Sequence, residues 1–227
     1  MTKISVLDHG YVRLVEHLGT DLSVVNAARV SFAKESQTFR DADIRLLQYL
    51  AKNGHTSPFR HAFLCFEVCA PLLVARQWWK YVVGSDHVMD GWNEVSRRYV
   101  TMEPEFYRPT SWRVAPENRK QGSGGAAPEA SQERLQVLLE AVIAQGQAAY
   151  DEALTLGVAP EQARLLLPAY GMYTAWRWSA SLQSVCHFLN QRLAHDAQDE
   201  IRQYADAVLQ LTQPLFPYSV AALVTAA

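Results

Sequence analysis

Cysteine is scarce in this chain. Its 227 residues hold three, Cys65, Cys69 and Cys186, with no C-x-x-C pair among them. So small and odd a set excludes a disulfide framework and fits a reducing compartment. Long apolar runs are missing too: no stretch approaches the roughly 18 residues of a membrane-spanning helix. Met1 to Asp8 carry charge and no signal-peptide apolar core. The expectation is a soluble cytoplasmic protein without a membrane partner. Basic excess is also lacking, since 21 Lys and Arg face 23 Asp and Glu. A dedicated nucleic-acid surface shows as clustered positive charge, so no nucleic-acid partner is expected. There is no G-x-G-x-x-G, no P-loop and no H-E-x-x-H. A nucleotide bound here is therefore not held by a Rossmann or Walker loop, and no metal site is expected.

What is present is ordinary in bulk. The chain is 49% apolar and 19% charged, typical of a globular protein with one substantial core. We read it as a single domain over 1–227. Residues 4–7 predict a short strand. Asp21 is placed to cap a helix over 22–32, and Asp41 one over 42–53 that Gly54 stops. Residues 61–70 are apolar on both alternating faces and predict a strand buried inside a sheet. Pro71 then opens a helix over 72–81. Residues 107–132 hold Pro109, Pro116, Gly122, Gly124, Gly125 and Pro128, and read as a mobile insertion. Helices are predicted over 132–155 and 161–166, a strand over 172–179, and a helix pair over 182–193 and 196–211. Asp196 and Asp199 have the spacing of an approximate capping box. No internal repeat is visible. Strands and helices do not alternate regularly, which disfavours a doubly wound parallel sheet.

The most informative stretch is 76–99. It packs Arg76, Lys80, Arg97 and Arg98 among Trp78, Trp79, Tyr81, Trp92 and Tyr99, with Gln77, Asn93, Glu94 and Ser96 between them. Cations bind phosphate, aromatic faces stack on planar rings, and amides and carboxylates read heterocycle edges. A second constellation, 161–192, contains Arg164, Trp176, Arg177, Trp178, Ser181, Gln183, His187, Asn190 and Arg192. Arg164 stands beside an apolar run, where a buried guanidinium needs an anion or a carbonyl. Composition leaves three readings open: a nucleotide-using enzyme, a non-enzymatic nucleotide or RNA-binding module, and a structural helical protein whose arginines serve subunit contacts. Cys186 lies on an apolar helix face without an adjacent base, and Cys65 and Cys69 share a strand face. All three read as core.

In this order, the segments resemble the flavin-dependent thymidylate synthases. Asn93-Glu94-Val95-Ser96-Arg97-Arg98-Tyr99 is similar to the family's Asn-Glu-x-Ser-x-Arg-Tyr, and Val74-Ala75-Arg76-Gln77-Trp78 to the approach to its Arg-His-Arg. Asn26 to Phe32, Gly54 to His61, Ala163-Arg164 through Leu167-Pro168, and Phe188-Leu189-Asn190-Gln191-Arg192 match further blocks. One half of the signature departs. Lys80-Tyr81-Val82 stands where the family has Arg-His-Arg, and about six extra residues, Asp86 to Gly91, follow Ser85. The charge is kept at Lys80, but the bidentate fork is lost.

The resemblance implies an α+β fold, a helix-rich domain around a small, largely antiparallel sheet, assembled as a homotetramer with shared active sites. It implies reductive methylation of dUMP to dTMP, with methylenetetrahydrofolate as carbon donor and FAD reduced by NADPH. No cysteine lies in a matching block, which fits chemistry without a protein nucleophile. Arg192 is implied as the catalytic residue, polarising the uracil edge. Gln77, Trp78, Trp79, Lys80, Glu94, Val95, Ser96, Arg97, Arg98, Arg164 and Arg192 are implied to line the dUMP site. Ser57, Lys80, Tyr81, Val82, Glu94, Ser181, Leu182, Gln183 and His187 are implied to hold FAD.

Overall fold

The computed structural model describes residues 2–79, 91–94, 103–116 and 122–225. One antiparallel sheet organises them. Its strands are β1 (Lys3–Val6), β2 (Gly10–Leu18), β3 (Phe63–Pro71), β4 (Gly91–Glu94) and β5 (Tyr173–Ser181), in the order β1-β2-β3-β5-β4. The helices are α1 (Asp21–Arg29), α2 (Asp41–Lys52), α3 (Leu72–Trp79), α4 (Glu129–Thr155), α5 (Pro160–Ala163), α6 (Leu182–Arg192), α7 (Asp199–Thr212) and α8 (Pro217–Leu223). The expected mixture of helices with an antiparallel sheet is what forms.

β3 is the middle strand, but only one of its faces is sealed. Leu64, Phe66, Val68 and Ala70 are at most 1% exposed, and Trp176 and Trp178 of β5 lie beside Val68 and Phe66 in register. α3, α6 and α7 pack over this side. The opposite face keeps Glu67, which accepts from Arg13 Nη2 at 2.6 Å and Tyr11 Oη at 3.0 Å. The Arg13 guanidinium holds the Glu67 carboxyl below the usual carboxylate range. The expectation of a strand buried on both faces is thus corrected: the alternate positions of β3 face a polar, partly solvated surface.

The centre of the fold repeats one unit. β3 runs directly into α3, and β5 directly into α6. The two strands pair antiparallel over their whole lengths, from Phe63 opposite Ser181 to Pro71 opposite Tyr173. Leu72 N donates to Met172 O at 2.9 Å, and Leu182 N donates to Ala62 O at 2.8 Å, the same bond in each half. Trp78 and Phe188, each the seventh residue of its helix, stack with ring centroids 4.4 Å apart. A two-fold relation therefore links halves whose sequences show no repeat.

Several helix starts differ from the sequence expectation. The residues before α1, α2 and α7 are Thr20, Arg40 and Gln198, so Asp21, Asp41 and Asp196 are not the caps. Thr20 N donates to Ser23 Oγ, and Arg40 N to Asp43 Oδ2. Asp21 is buried at 5% exposure and caps a distant helix instead. Its two carboxylate oxygens accept from Tyr218 N and Ser219 N of α8, each at 2.9 Å. Asp21→Ala is expected to destabilise the fold by about 1–2 kcal/mol, with Asp21→Asn costing less. Equal denaturation midpoints for both variants and the parent protein would refute this. The helix over 22–32 ends earlier than predicted, giving way to a 3-10 turn, Val30–Phe32. His61 belongs to another, Ser57–His61, ahead of β3.

The irregular stretch after residue 103 is tied down at several points. Arg108 Nε bonds Glu140 Oε1 of α4 at 2.8 Å. Gln132 receives Trp112 N at 2.7 Å and returns a bond to Trp112 O at 2.8 Å. Arg113 pairs with Glu200 of α7. β2, β4 and α8 were not anticipated.

Candidate active site

The site is built where α3 and α6 cross. Leu182, Val185, Phe188 and Leu189 bury one face of α6, and Arg192, three residues past Leu189, is carried inward on that face. It is 8% exposed, and its Nη2 donates to the Gln77 carbonyl of α3 at 3.1 Å. This bond joins the first aromatic–basic segment to the second. The Gln77 side chain donates to Leu73 O at 3.2 Å and to Gln198 Oε1. Trp79 meets Trp92 edge-on at 5.6 Å, and Trp92 stacks on Trp176 at 4.8 Å. Trp79 and Trp92 are half-buried at the end of α3 and on β4, and Trp176 beneath them is core. Glu94 is exposed at the far end of β4, accepting from Thr174 Oγ1 at 2.6 Å.

Three expected contributors are inside the protein. Trp78 and Leu182 are 0% exposed and Ser181 is 4% exposed. Trp78 stacks on Phe188 and meets Trp176, Trp178 and Tyr204 edge-on. None of the three side chains lines a solvent-facing site. Of the segment's aromatic rings, Trp78 is core and Trp79 and Trp92 are half-buried, while Tyr81 and Tyr99 lie outside the described residues.

Arg164 sits in the 3-10 turn Arg164–Leu166, packed against α4. Its Nε is buried with no hydrogen-bond acceptor among the described residues. A guanidinium N–H in that state is missing the anion or carbonyl that burial demands. No hydrogen bond or ion pair links it to Gln77 or Arg192 among the described residues.

Of the residues implied to hold FAD, Ser57, Ser181, Leu182, Gln183 and His187 lie on neighbouring elements, whereas Glu94 pairs with Trp176 at the end of β4 away from them. Ser57 lies on the exposed turn Ser57–His61, which packs against α6. Arg60 of this turn donates through Nε to Gln183 Oε1 at 2.5 Å. Ser181 caps α6, its Oγ accepting from Ser184 N at 3.2 Å. His187 is exposed, one turn along from Gln183. A cation, an amide and a hydroxyl (Arg60, Gln183 and Ser57) therefore lie at or beside the start of an 11-residue helix, with the His187 imidazole at its middle. Lys80, Tyr81, Val82, Val95, Ser96, Arg97 and Arg98 lie outside the described residues.

Sequence reasoning passed over Arg60 and Gln198. Arg60 stands inside the quoted His55-to-His61 turn, so its charge was visible but its neighbour across the fold was not. Gln198 carried no signal, because its contact with Gln77 spans 121 positions.

The sequence family described as thymidylate synthase complementing protein matches residues 13–218. The chain belongs to the flavin-dependent thymidylate synthase family. It is 41% identical over 219 residues to the flavin-dependent thymidylate synthase of Thermus thermophilus, covering 96% of this chain and 77% of that one. The Thermotoga neapolitana protein of the same name is 38% identical, with 98% and 94% covered. Among solved structures, the UMP/dUMP methylase PolB from Streptomyces cacaoi bound with 5-Br dUMP is similar at TM-score 0.81 and 27% identity, covering 96% of each chain.

Proposed function

We propose that this chain converts dUMP to dTMP by reductive methylation, taking carbon from methylenetetrahydrofolate and electrons from NADPH through FAD. The observation that carries the reading is the buried Arg192 held by the Gln77 carbonyl at 3.1 Å. The named relatives are flavin-dependent thymidylate synthases, and the similar fold is that of a methylase bound with a dUMP analogue. C5 of uracil is a weak nucleophile. A guanidinium at the N3/O2 edge stabilises negative charge there and enriches the ring. Burial strengthens that interaction by lowering the local dielectric.

The donors around the start of α6 fit the flavin. Anions are favoured at a helix N-terminus by its oriented N–H groups and dipole, and Arg60, Ser57 and Gln183 would hold the pyrophosphate there. When bound, the flavin would supply the redox chemistry. Glu94, Trp79, Gln77 and Arg192 would position the pyrimidine, while Arg164, with Ser96, Arg97 and Arg98, would take the phosphate.

The reading includes a homotetramer with shared sites. In its support, Leu165 is 84% exposed, Tyr170 67%, Val137 60% and Val142 52%. Leu165 lies on the Arg164 turn, Tyr170 follows it and the two valines are on α4, and exposed apolar side chains of this kind fit a subunit face. Arg164 would then serve a neighbour's nucleotide.

The absence of a protein nucleophile has support in the thiols. Burial pushes Cys69 up to about 11 and Cys186 up to about 12, so little of either is thiolate at neutral pH. Incubation with iodoacetamide at pH 8 is expected to leave turnover intact. Activity lost in proportion to alkylation of one cysteine would overturn that part of the reading. The whole reading is tested by tritium release from [5-³H]dUMP with methylenetetrahydrofolate, FAD and NADPH. The expected result is release dependent on every component, from a protein that purifies yellow or takes up added FAD. A colourless protein that neither binds FAD nor releases tritium would refute it.

A further inference from the structure

α4 is 27 residues long and carries Gly146 in its interior. Glycine is the poorest helix former after proline, so an interior glycine calls for a reason. The reason here is contact. A Cβ built at position 146 would lie 2.8 Å from Pro168 Cδ and 2.9 Å from the Leu166 carbonyl oxygen. Real Cβ atoms do not come that close. The second contact is backbone, which cannot swing aside as a side chain would. α4 therefore touches the segment 164–168 without an intervening side chain.

That segment is the one that carries Arg164. Its 3-10 turn closes with Leu167 N donating to Arg164 O at 3.2 Å. Leu167 is fixed in a small apolar cluster with Phe106, Ile143 and Met172. Ile143 stands three residues before Gly146, on the same side of α4. One helix face thus grips the turn with a large side chain and, a turn later, admits its backbone with none. Arg164 then projects from a turn whose distance from α4 is set at Gly146, with its Nε buried and lacking an acceptor among the described residues.

We infer that Gly146 is a positioning residue for substrate phosphate, acting through Arg164 by setting how closely the turn approaches α4. The inference rests on the proposed role of Arg164 in holding dUMP. Gly146→Ala raises helix propensity but must push the turn outward. The guanidinium moves with it, while the flavin contacts at the start of α6 do not.

The test is a double-mutant cycle on the flavin-loaded enzyme, with Gly146→Ala, Arg164→Ala and both together, reading dUMP affinity by calorimetric titration. Gly146→Ala is expected to weaken dUMP binding about 10-fold, with flavin content and kcat at saturating dUMP nearly unchanged. The double variant is expected to bind no more weakly than Arg164→Ala alone. Parent-like affinity in Gly146→Ala, or losses that add in the double variant, would overturn the positioning role. Unchanged affinity in Arg164→Ala would instead remove Arg164 from the site, and the role of Gly146 with it. If Gly146→Ala fails to fold, Pro168→Ala loosens the same contact from the other side. It must then show the same loss, absent in the Arg164→Ala background, or the inference falls.

Discussion

Arg192→Ala keeps its flavin and loses dTMP formation by about 10²–10³-fold in kcat, the scale for removing one preorganised donor to developing charge. The guanidinium is 8% exposed and anchored on the Gln77 carbonyl at 3.1 Å. It therefore costs little reorganisation when charge gathers on the uracil edge. Flavin retention is expected because the donors assigned to it, Ser57, Arg60 and Gln183, are about two and a half turns back along α6 or on the turn beside its start. Arg192→Lys separates charge from shape: it restores a cation but not the planar fork, and an intermediate rate is expected. Normal turnover by Arg192→Ala, measured by tritium release at saturating dUMP, would take Arg192 out of the chemistry.

The second large effect concerns stability. Trp78→Ala is expected to destabilise the fold by about 3–5 kcal/mol, the range for emptying a fully buried large aromatic site. Trp78 is 0% exposed and touches four other aromatic rings, with Phe188 stacked at 4.4 Å. Trp78→Phe keeps that stack and should lose much less. Guanidinium denaturation followed at two wavelengths reads the difference, with an unchanged slope showing that only stability moved. A Trp78→Ala protein as stable as the parent and deficient only in nucleotide affinity would return Trp78 to the binding surface.

These two residues mark how far the sequence could be read. Arg192 was singled out only by the family resemblance, since a cation at the end of a helix otherwise reads as a macrodipole partner; what the structure adds is its burial against the Gln77 carbonyl. Trp78 was misplaced because a strip of aromatics does not say which rings face inward. Only the crossing of α3 and α6 decides that. β3 and the long helices were legible from their two- and 3.6-residue periods. β2 was missed because a register shift between Leu14 and Glu16 interrupts its apolar alternation. β4 was missed because four residues paired to β5 take their conformation from the neighbour, not from their own propensity. The caps failed for a related reason. Asp21 has the right chemistry for a helix N-terminus, but it serves α8, almost two hundred positions away.

The paired β3 and β5 also govern how this protein must be made. Roughly 100 residues of chain separate the end of one from the start of the other. Closing so large a loop costs entropy before any strand pairing repays it, which slows folding. On the ribosome, β3 waits with Phe66 and Val68 uncovered until Ser181 has emerged. The crossing that seats Arg192 forms later still. A nascent chain therefore holds an open, apolar strand edge for about half of its synthesis, and slowing translation across residues 72–172 prolongs the interval in which it can aggregate.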